Sequence, residues 1–317
     1  MGVLFIHQGH FMKHSFSQNR PSILAAIGNT PLVRLDFPPE VPIYAKLEYL
    51  NPGGSIKDRS ALYMIEQAEQ TGLLKPGYTI IEGSSGNQGI AVAMIGAIKG
   101  YKVTITVPER TSIEKVATLK AYGAEVLICK DHDSDESYTD VAKRLHKANP
   151  NSFMPNQYYN SLNLEAHYRS TGPEIWAQTE GKLTHIVMAL GSCGTAMGVS
   201  RYLKEQNPAI KVIGVDAATS MLSSPSPEPY QAEGIGVDSL EGLFDKRYVD
   251  EVIGVHDDEI FAKTRCLARD HGLLVGISSG AVMHAAEKYA KTLNKNDYMV
   301  VIFADSGRAY LNKVFGV

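Results

Sequence analysis

One lysine in this chain stands where a lysine has little freedom. Lys57 follows the glycine turn of Asn51-Pro52-Gly53-Gly54-Ser55-Ile56-Lys57-Asp58-Arg59. A helix-spaced segment starts at once after it, with Leu62, Ile65 and Ala68 on one face and Gly72 placed as its C-terminal cap. Packing that desolvates such a lysine lowers its ammonium pKa and exposes a neutral amine. A neutral amine attacks carbonyls and forms Schiff bases. The competing reading is a solvated lysine beside a turn, since lysines are rarely buried.

Two further glycine turns could hold an anion. Glu82-Gly83-Ser84-Ser85-Gly86-Asn87-Gln88-Gly89 follows an apolar strand at 78–81 and precedes an apolar helix at 89–98, closed by Gly100. Gly191-Ser192-Cys193-Gly194-Thr195 follows a strand at 185–190 and precedes a helix at 196–204. A strand–glycine loop–helix join aims free backbone N–H groups and the positive helix end at one point, which suits a phosphate. Either loop could equally be a plain turn.

The elements that must position these groups alternate along the chain. Strands are expected at 102–107, 125–129, 211–215, 251–255 and 299–303, and helices at 136–148 and around Arg201, Arg265 and Glu287. Thr111-Ser112-Ile113-Glu114 has the spacing of a capping box opening a helix to Tyr122. Continuous apolar strands separated by helices predict an α/β fold whose mostly parallel sheets are flanked by helices on both faces.

Composition narrows the function. A chain of 317 residues suits two lobes rather than one core, and 44% apolar residues fits a globular protein. The net charge of −3 offers no basic field for nucleic acid. No apolar stretch reaches transmembrane length. Cys129, Cys193 and Cys266 are too scattered for a disulfide framework or a zinc site, which predicts a reducing, cytoplasmic setting and no metal. The acidic run Asp131-His132-Asp133-Ser134-Asp135-Glu136 reads as a solvated loop. The apolar patch Val3-Leu4-Phe5-Ile6 lacks the basic flank and cleavage site of a leader, so it reads as an extension, with Met12 as an alternative start.

Taken in order, the motifs resemble the pyridoxal-phosphate enzymes of the cysteine synthase and cystathionine β-synthase family, known as fold type II. The matching segments are Ile27-Gly28-Asn29-Thr30-Pro31-Leu32-Val33, the Lys57 segment, Ser85-Gly86-Asn87, Gln157-Tyr158, the 191–195 loop, Glu233-Gly234-Ile235-Gly236, Gly276-Ile277-Ser278-Ser279-Gly280 and Asp305-Ser306. They cover residues 22 to 315. The resemblance implies two α/β lobes with the cofactor between them. The smaller, mobile lobe would be 41–155, and the larger one 1–40 with 156–317. It also implies a homodimer.

Roles follow from the resemblance. Lys57 would hold the cofactor and then move the proton at the substrate α-carbon. Asn87 would meet the ring hydroxyl oxygen. Gly191, Ser192, Cys193, Gly194 and Thr195 would cradle the phosphate, with Cys193 standing where the family has glycine. Ser278 would face the ring nitrogen, or cap the helix that follows. Ser84, Ser85, Gly86, Gln88 and Gln157 would bind the substrate carboxylate, with Ser84 and Gln88 in place of the usual threonines. Gly234 and Gly236 would approach the substrate amine.

Two reactions compete. Thr171-Gly172-Pro173-Glu174-Ile175-Trp176 is more like cysteine synthase, which joins O-acetylserine and sulfide. Glu233 and Asp238 are more like cystathionine β-synthase, which joins serine and homocysteine, but Val237 stands where that enzyme often has tyrosine. The haem-binding extension and regulatory tail of the animal enzyme have no counterpart in the sequence. Cysteine synthase is the expected activity. A catalytically inactive relative that binds a partner protein is the reading from another class, opposed by the presence of Lys57, Asn87 and Ser278. A dinucleotide oxidoreductase would need a Gly-x-Gly-x-x-Gly opening its first βα unit, and no convincing instance occurs.

Overall fold

The computed structural model describes residues 22–35, 41–84, 86–129, 137–237 and 239–316. Ser85, Asp238, the acidic run and the amino-terminal patch with Met12 lie outside them. Along the chain come β1 (Leu32–Leu35), β2 (Ile43–Leu47), α1 (Lys57–Gln70), β3 (Thr79–Gly83), α2 (Asn87–Lys99), β4 (Lys102–Pro108), α3 (Ile113–Ala121), β5 (Glu125–Cys129), α4 (Tyr138–Ala148) and β6 (Ser152–Phe153). They are followed by α5 (Leu162–Arg169), α6 (Thr171–Gln178), β7 (His185–Ala189), α7 (Gly194–Gln206), β8 (Lys211–Ala217), β9 (Glu251–Val255), α8 (Asp257–His271), α9 (Ile277–Ala290) and β10 (Met299–Phe303).

The strands form two sheets. One has the order β1-β2-β10-β7-β8-β9 and is parallel except for β1 against β2. The other has the order β5-β4-β3-β6 and is wholly parallel. The α/β class with helix-flanked parallel sheets is therefore as the sequence implied. In the six-stranded sheet alternate residues serve opposite faces. Val187, Met299, Val301 and Phe303 pack with α8 and α9, while Ile186, Met188, Val300 and Ile302 pack with α6 and α7. Both faces are covered, which is why these strands read as unbroken apolar runs.

β1, β2, β6, α5 and α6 escape a reading based on apolar runs. Residues 43–47, inside the 41–155 segment expected for the smaller lobe, form the strand between β1 and β10 of the six-stranded sheet. Lys46 in that strand is fully buried, so charge hid the pattern. In α6, Gly172-Pro173 looks like a break, but proline in a first helical turn lacks only an N–H that would be unpaired anyway. Two capping expectations are corrected. Ser112, not Thr111, caps α3, accepting the Lys115 N–H. Ser278 lies inside α9, whose cap is Gly276, so it does not serve as a helix cap.

Buried charges tie the start of α1 to the rest. Arg59 grips Glu48 through Nε at 2.7 Å and Nη2 at 2.8 Å, and Glu174 through Nη1 and Nη2 at 2.7 Å each. Lys46 donates to Glu174 at 2.9 Å, to Gln178 at 2.8 Å and to the Thr30 carbonyl at 2.7 Å. Thr30 Oγ1 and the Asn29 N–H complete the acceptors' sets. Two cations meet two carboxylates, with nearly every lone pair used, as buried charges require. Asn29 and Thr30 thus give the Ile27–Val33 motif a part in anchoring the start of α1.

Candidate active site

The glycine loops open at the carboxyl ends of β3 and β7, where open α/β sheets place ligands. Lys57 is the first residue of α1. The turn before it is locked by Asp58, whose Oδ2 accepts the Gly53 N–H at 2.6 Å. A Cβ at residue 53 would lie 2.4 Å from Asp58 Oδ1, so a side chain there would push the carboxylate out of this bond. Opposite, the bridge between Ser55 and Asp305 and the bond from the Ile56 N–H to the Ala304 carbonyl pin the turn beside β10. The Lys57 ammonium donates to Ser192 Oγ at 2.9 Å. Burial pulls its pKa down to about 8, while the neighbouring Cys193, Asp305 and Glu82 pull the other way.

Lys57, Ser84, Gly86, Asn87, Gln88, Gln157, Gly191, Ser192, Cys193, Gly234 and Gly236 line one cavity of about 810 Å³. Eleven residues picked from scattered segments thus meet at one place. Gly194, Thr195 and Ser278 are not part of its wall. Ser278 is buried beneath the Gly234 turn, and Thr195 turns its hydroxyl to His167 at 3.2 Å.

Cys193 holds φ at +62°, in the left-handed region that glycine adopts freely, and its Sγ donates to the Gly191 carbonyl at 3.3 Å. The loop therefore keeps the backbone a glycine would have, at a cost of about 1–2 kcal/mol. Burial pushes the Cys193 thiol up to about 12, so it is no nucleophile at neutral pH. A Cβ on Gly194 would sit 2.2 Å from Asn163 Oδ1. α7 begins there without a side-chain cap, leaving its first N–H groups free for an anion. A buried amine of lowered pKa beside an uncapped helix end is the donor set an aldehyde-bearing phosphate needs, so these residues fit pyridoxal phosphate.

The sequence did not show what shapes this wall. Glu82 is buried and accepts the N–H groups of Asn156 at 2.7 Å and Gln157 at 3.2 Å, fixing the Gln157 loop. Burial raises its pKa to about 7 against those two bonds. Asn163 links the Gln157 carbonyl at 2.8 Å to Ser192 Oγ at 3.3 Å. Asp216 accepts the Val237 N–H at 3.1 Å and holds the glycine turn before it. Asn87 donates to Asp305 Oδ2 at 2.6 Å, which also accepts the Tyr310 hydroxyl at 2.6 Å. Ser84 Oγ accepts the N–H groups of Gly86 at 3.2 Å and Gly89 at 3.1 Å, which secures the start of α2. Gln88 is buried, and its Nε2 has no partner. Lys115 pairs with Glu233 and lies over the Tyr310 ring.

The chain belongs to the family of pyridoxal-phosphate dependent enzymes, whose pattern matches residues 23–305. It is 45% identical over 311 residues to a cystathionine beta-synthase of Apis mellifera, covering 94% of this chain but 62% of that protein. The chain therefore spans less than two thirds of that relative's length. It is 42% identical over 301 residues to cysteine synthase B of Pseudomonas aeruginosa, covering 92% of this chain and 96% of that one. Its fold matches the crystal structure of the O-acetylserine dependent cystathionine beta-synthase from Helicobacter pylori with a TM-score of 0.87 at 39% identity, covering 93% and 98% of the two chains.

Proposed function

We propose that this protein catalyses β-replacement on an O-acylated serine, with sulfide as the incoming nucleophile, as a cysteine synthase does. The observation that carries the reading is Lys57: a buried amine of lowered pKa in the wall of a cavity it shares with both glycine loops.

Bound pyridoxal phosphate would supply the electron sink for α-proton loss and β-elimination. The chain's own residues do the rest. Lys57 would hold the cofactor and, once released, would take and return the proton at the substrate α-carbon. Asn87, whose amide donates to Asp305 in this structure, would orient the ring through its hydroxyl oxygen. The 191–195 loop and the uncapped start of α7 would bind the phosphate. Ser278, which lies beneath the Gly234 turn rather than in the cavity wall, would offer the ring nitrogen a neutral hydroxyl, which favours elimination and replacement over transamination. Ser84, Ser85, Gly86 and Gln88, with Gln157, take the substrate carboxylate, and Gly234 and Gly236 admit its amine. The four-stranded sheet with α2, α3 and α4 forms the smaller lobe in this proposal, and carboxylate binding draws it toward the six-stranded sheet and excludes water. A homodimer in the cytoplasm completes the reading, in keeping with three cysteines that form no disulfide; among the described residues no helix is long and apolar enough to cross a membrane.

Sulfide is favoured over an amino-acid thiol by two residues. Val237 lines the cavity with an apolar side chain, and its N–H is committed to Asp216, so neither can pair with a second amino-acid end. Gln88, bulkier than the threonine the family usually has there, lines the same cavity. An unpaired charge in a closed cleft is costly. Homocysteine is the alternative nucleophile, supported by the cavity's 810 Å³, which exceeds what sulfide needs. The expected result is a kcat/KM for O-acetylserine plus sulfide at least about tenfold above that for serine plus homocysteine, or roughly 1.4 kcal/mol of transition-state preference. The reverse ranking on one preparation at one pH would establish the cystathionine reaction instead. Absence of either turnover in yellow, cofactor-loaded protein would point to a partner-binding role.

A further inference from the structure

Behind the 191–195 loop lies a line of polar side chains that the proposed chemistry leaves unused. His167, on α5, is fully buried. Its Nδ1 is 2.9 Å from Oγ1 of Thr171, the first residue of α6. Its Nε2 is 3.2 Å from Oγ1 of Thr195, in the first turn of α7. Each ring nitrogen thus meets one hydroxyl. Burial, and then the charges of Arg59 and Lys57, hold the imidazole pKa well below its usual value, with only Glu174 opposing, so the ring is neutral.

A neutral imidazole has one N–H and one bare nitrogen, so the line has two states. In one, Thr195 donates its proton to Nε2 and presents only lone pairs to the loop. In the other, Nε2–H donates to Thr195 Oγ1, Thr171 donates to Nδ1, and the Thr195 proton is free to point at the loop. A phosphate dianion has only acceptors. It is compatible with the second state and repelled by the first.

We infer that His167 is a positioning residue for the cofactor: with Thr171 it forms a hydrogen-bond relay that turns the Thr195 hydroxyl proton toward the phosphate. This rests on the reading of the 191–195 loop as the phosphate site. It makes a buried histidine, remote from the reacting atoms, a determinant of cofactor affinity.

Two measurements test it. Nitrogen NMR of the holoenzyme with labelled histidine, assigned through the signal lost in His167→Gln, is expected to show the Nε2–H form at His167. The Nδ1–H form would overturn the relay. The second is a cycle of titrations of pyridoxal phosphate into apo-protein. Thr195→Ala is expected to weaken binding about ten- to hundredfold, the loss of a hydrogen bond to a charged group. His167→Leu alone is expected to weaken it about three- to tenfold, and to add nothing in the Thr195→Ala background. His167→Gln, whose amide N–H reaches the place of Nε2–H, is expected to recover most of the affinity. Full additivity of the two losses would overturn the relay and leave the phosphate reading intact. An unchanged affinity in Thr195→Ala would overturn both. Should His167→Leu fail to fold, the tautomer measurement still decides the matter.

Discussion

Lys57→Ala is expected to abolish turnover, by about 10³-fold or more, and to remove the visible absorption of lysine-linked cofactor while the fold survives. A positioned acid–base group alone is worth about 10²–10⁴ in rate, and Lys57 is proposed to be the covalent anchor as well. The fold should survive because the start of α1 is held by Arg59, Asp58 and the Ser55–Asp305 bridge rather than by the ammonium. Absorption spectra before and after borohydride reduction, with peptide mapping, provide the check. A cofactor reduced onto a different lysine would refute the assignment. The wild-type amine adds a pH test. Only the neutral form captures the aldehyde, and burial places its pKa at about 8. The capture rate by apo-protein should therefore rise with pH, reach half its plateau near pH 8 and level off above. An ordinary lysine, at 10.5, would show no plateau in that range.

Arg59→Ala is expected to cost about 3–5 kcal/mol of stability, because it leaves two buried carboxylates facing Lys46 alone. Urea unfolding of apo-protein is the measurement, since bound cofactor would add its own stabilisation. A loss under about 1 kcal/mol would mean that the network does not support α1. The variant should also change the acid limb. Burial pushes the Glu174 carboxyl up, but Arg59 and Lys46 outweigh it and hold the pKa at about 2, below its ordinary 4.5. A carboxylate with a depressed folded pKa stabilises the fold above its unfolded pKa, and that share is lost as pH falls from about 4.5 toward 2. Glu48 is shifted in the same direction. Removing Arg59 should shrink both shifts, so the variant begins less stable and loses less on acidification through that window.

Much of the scaffold was legible because its signals are local. The strands at 125–129, 251–255 and 299–303 end where the apolar pattern ends, and the helices after each glycine loop begin within a few residues of the expected points. Lys57 and both glycine loops could be found because a turn, a helix start and a reactive side chain sit within ten residues of one another. What stayed hidden is what a reading of apolar runs treats as noise. Lys46 lies in a buried strand but reads as a surface charge. His167 has no sequence signal beyond the presence of Thr171 four residues on.

The sequence by itself determined the helix-flanked parallel strands and the glycine turns, because these follow from local backbone preference, and its ordered motifs carried the resemblance to the family. Only the tertiary structure decided that residues 43–47 join the larger sheet, that Asn87 bonds Asp305 across 218 positions, and that Glu82 fixes a loop 74 and 75 residues away. It also decided that Cys193 keeps the left-handed turn of a glycine. Those outcomes depend on which polar groups are buried together, since a buried donor or charge must find a partner wherever the fold brings one. Partners so distant along the chain leave no periodicity behind, and their pairing exists only once both sheets have formed.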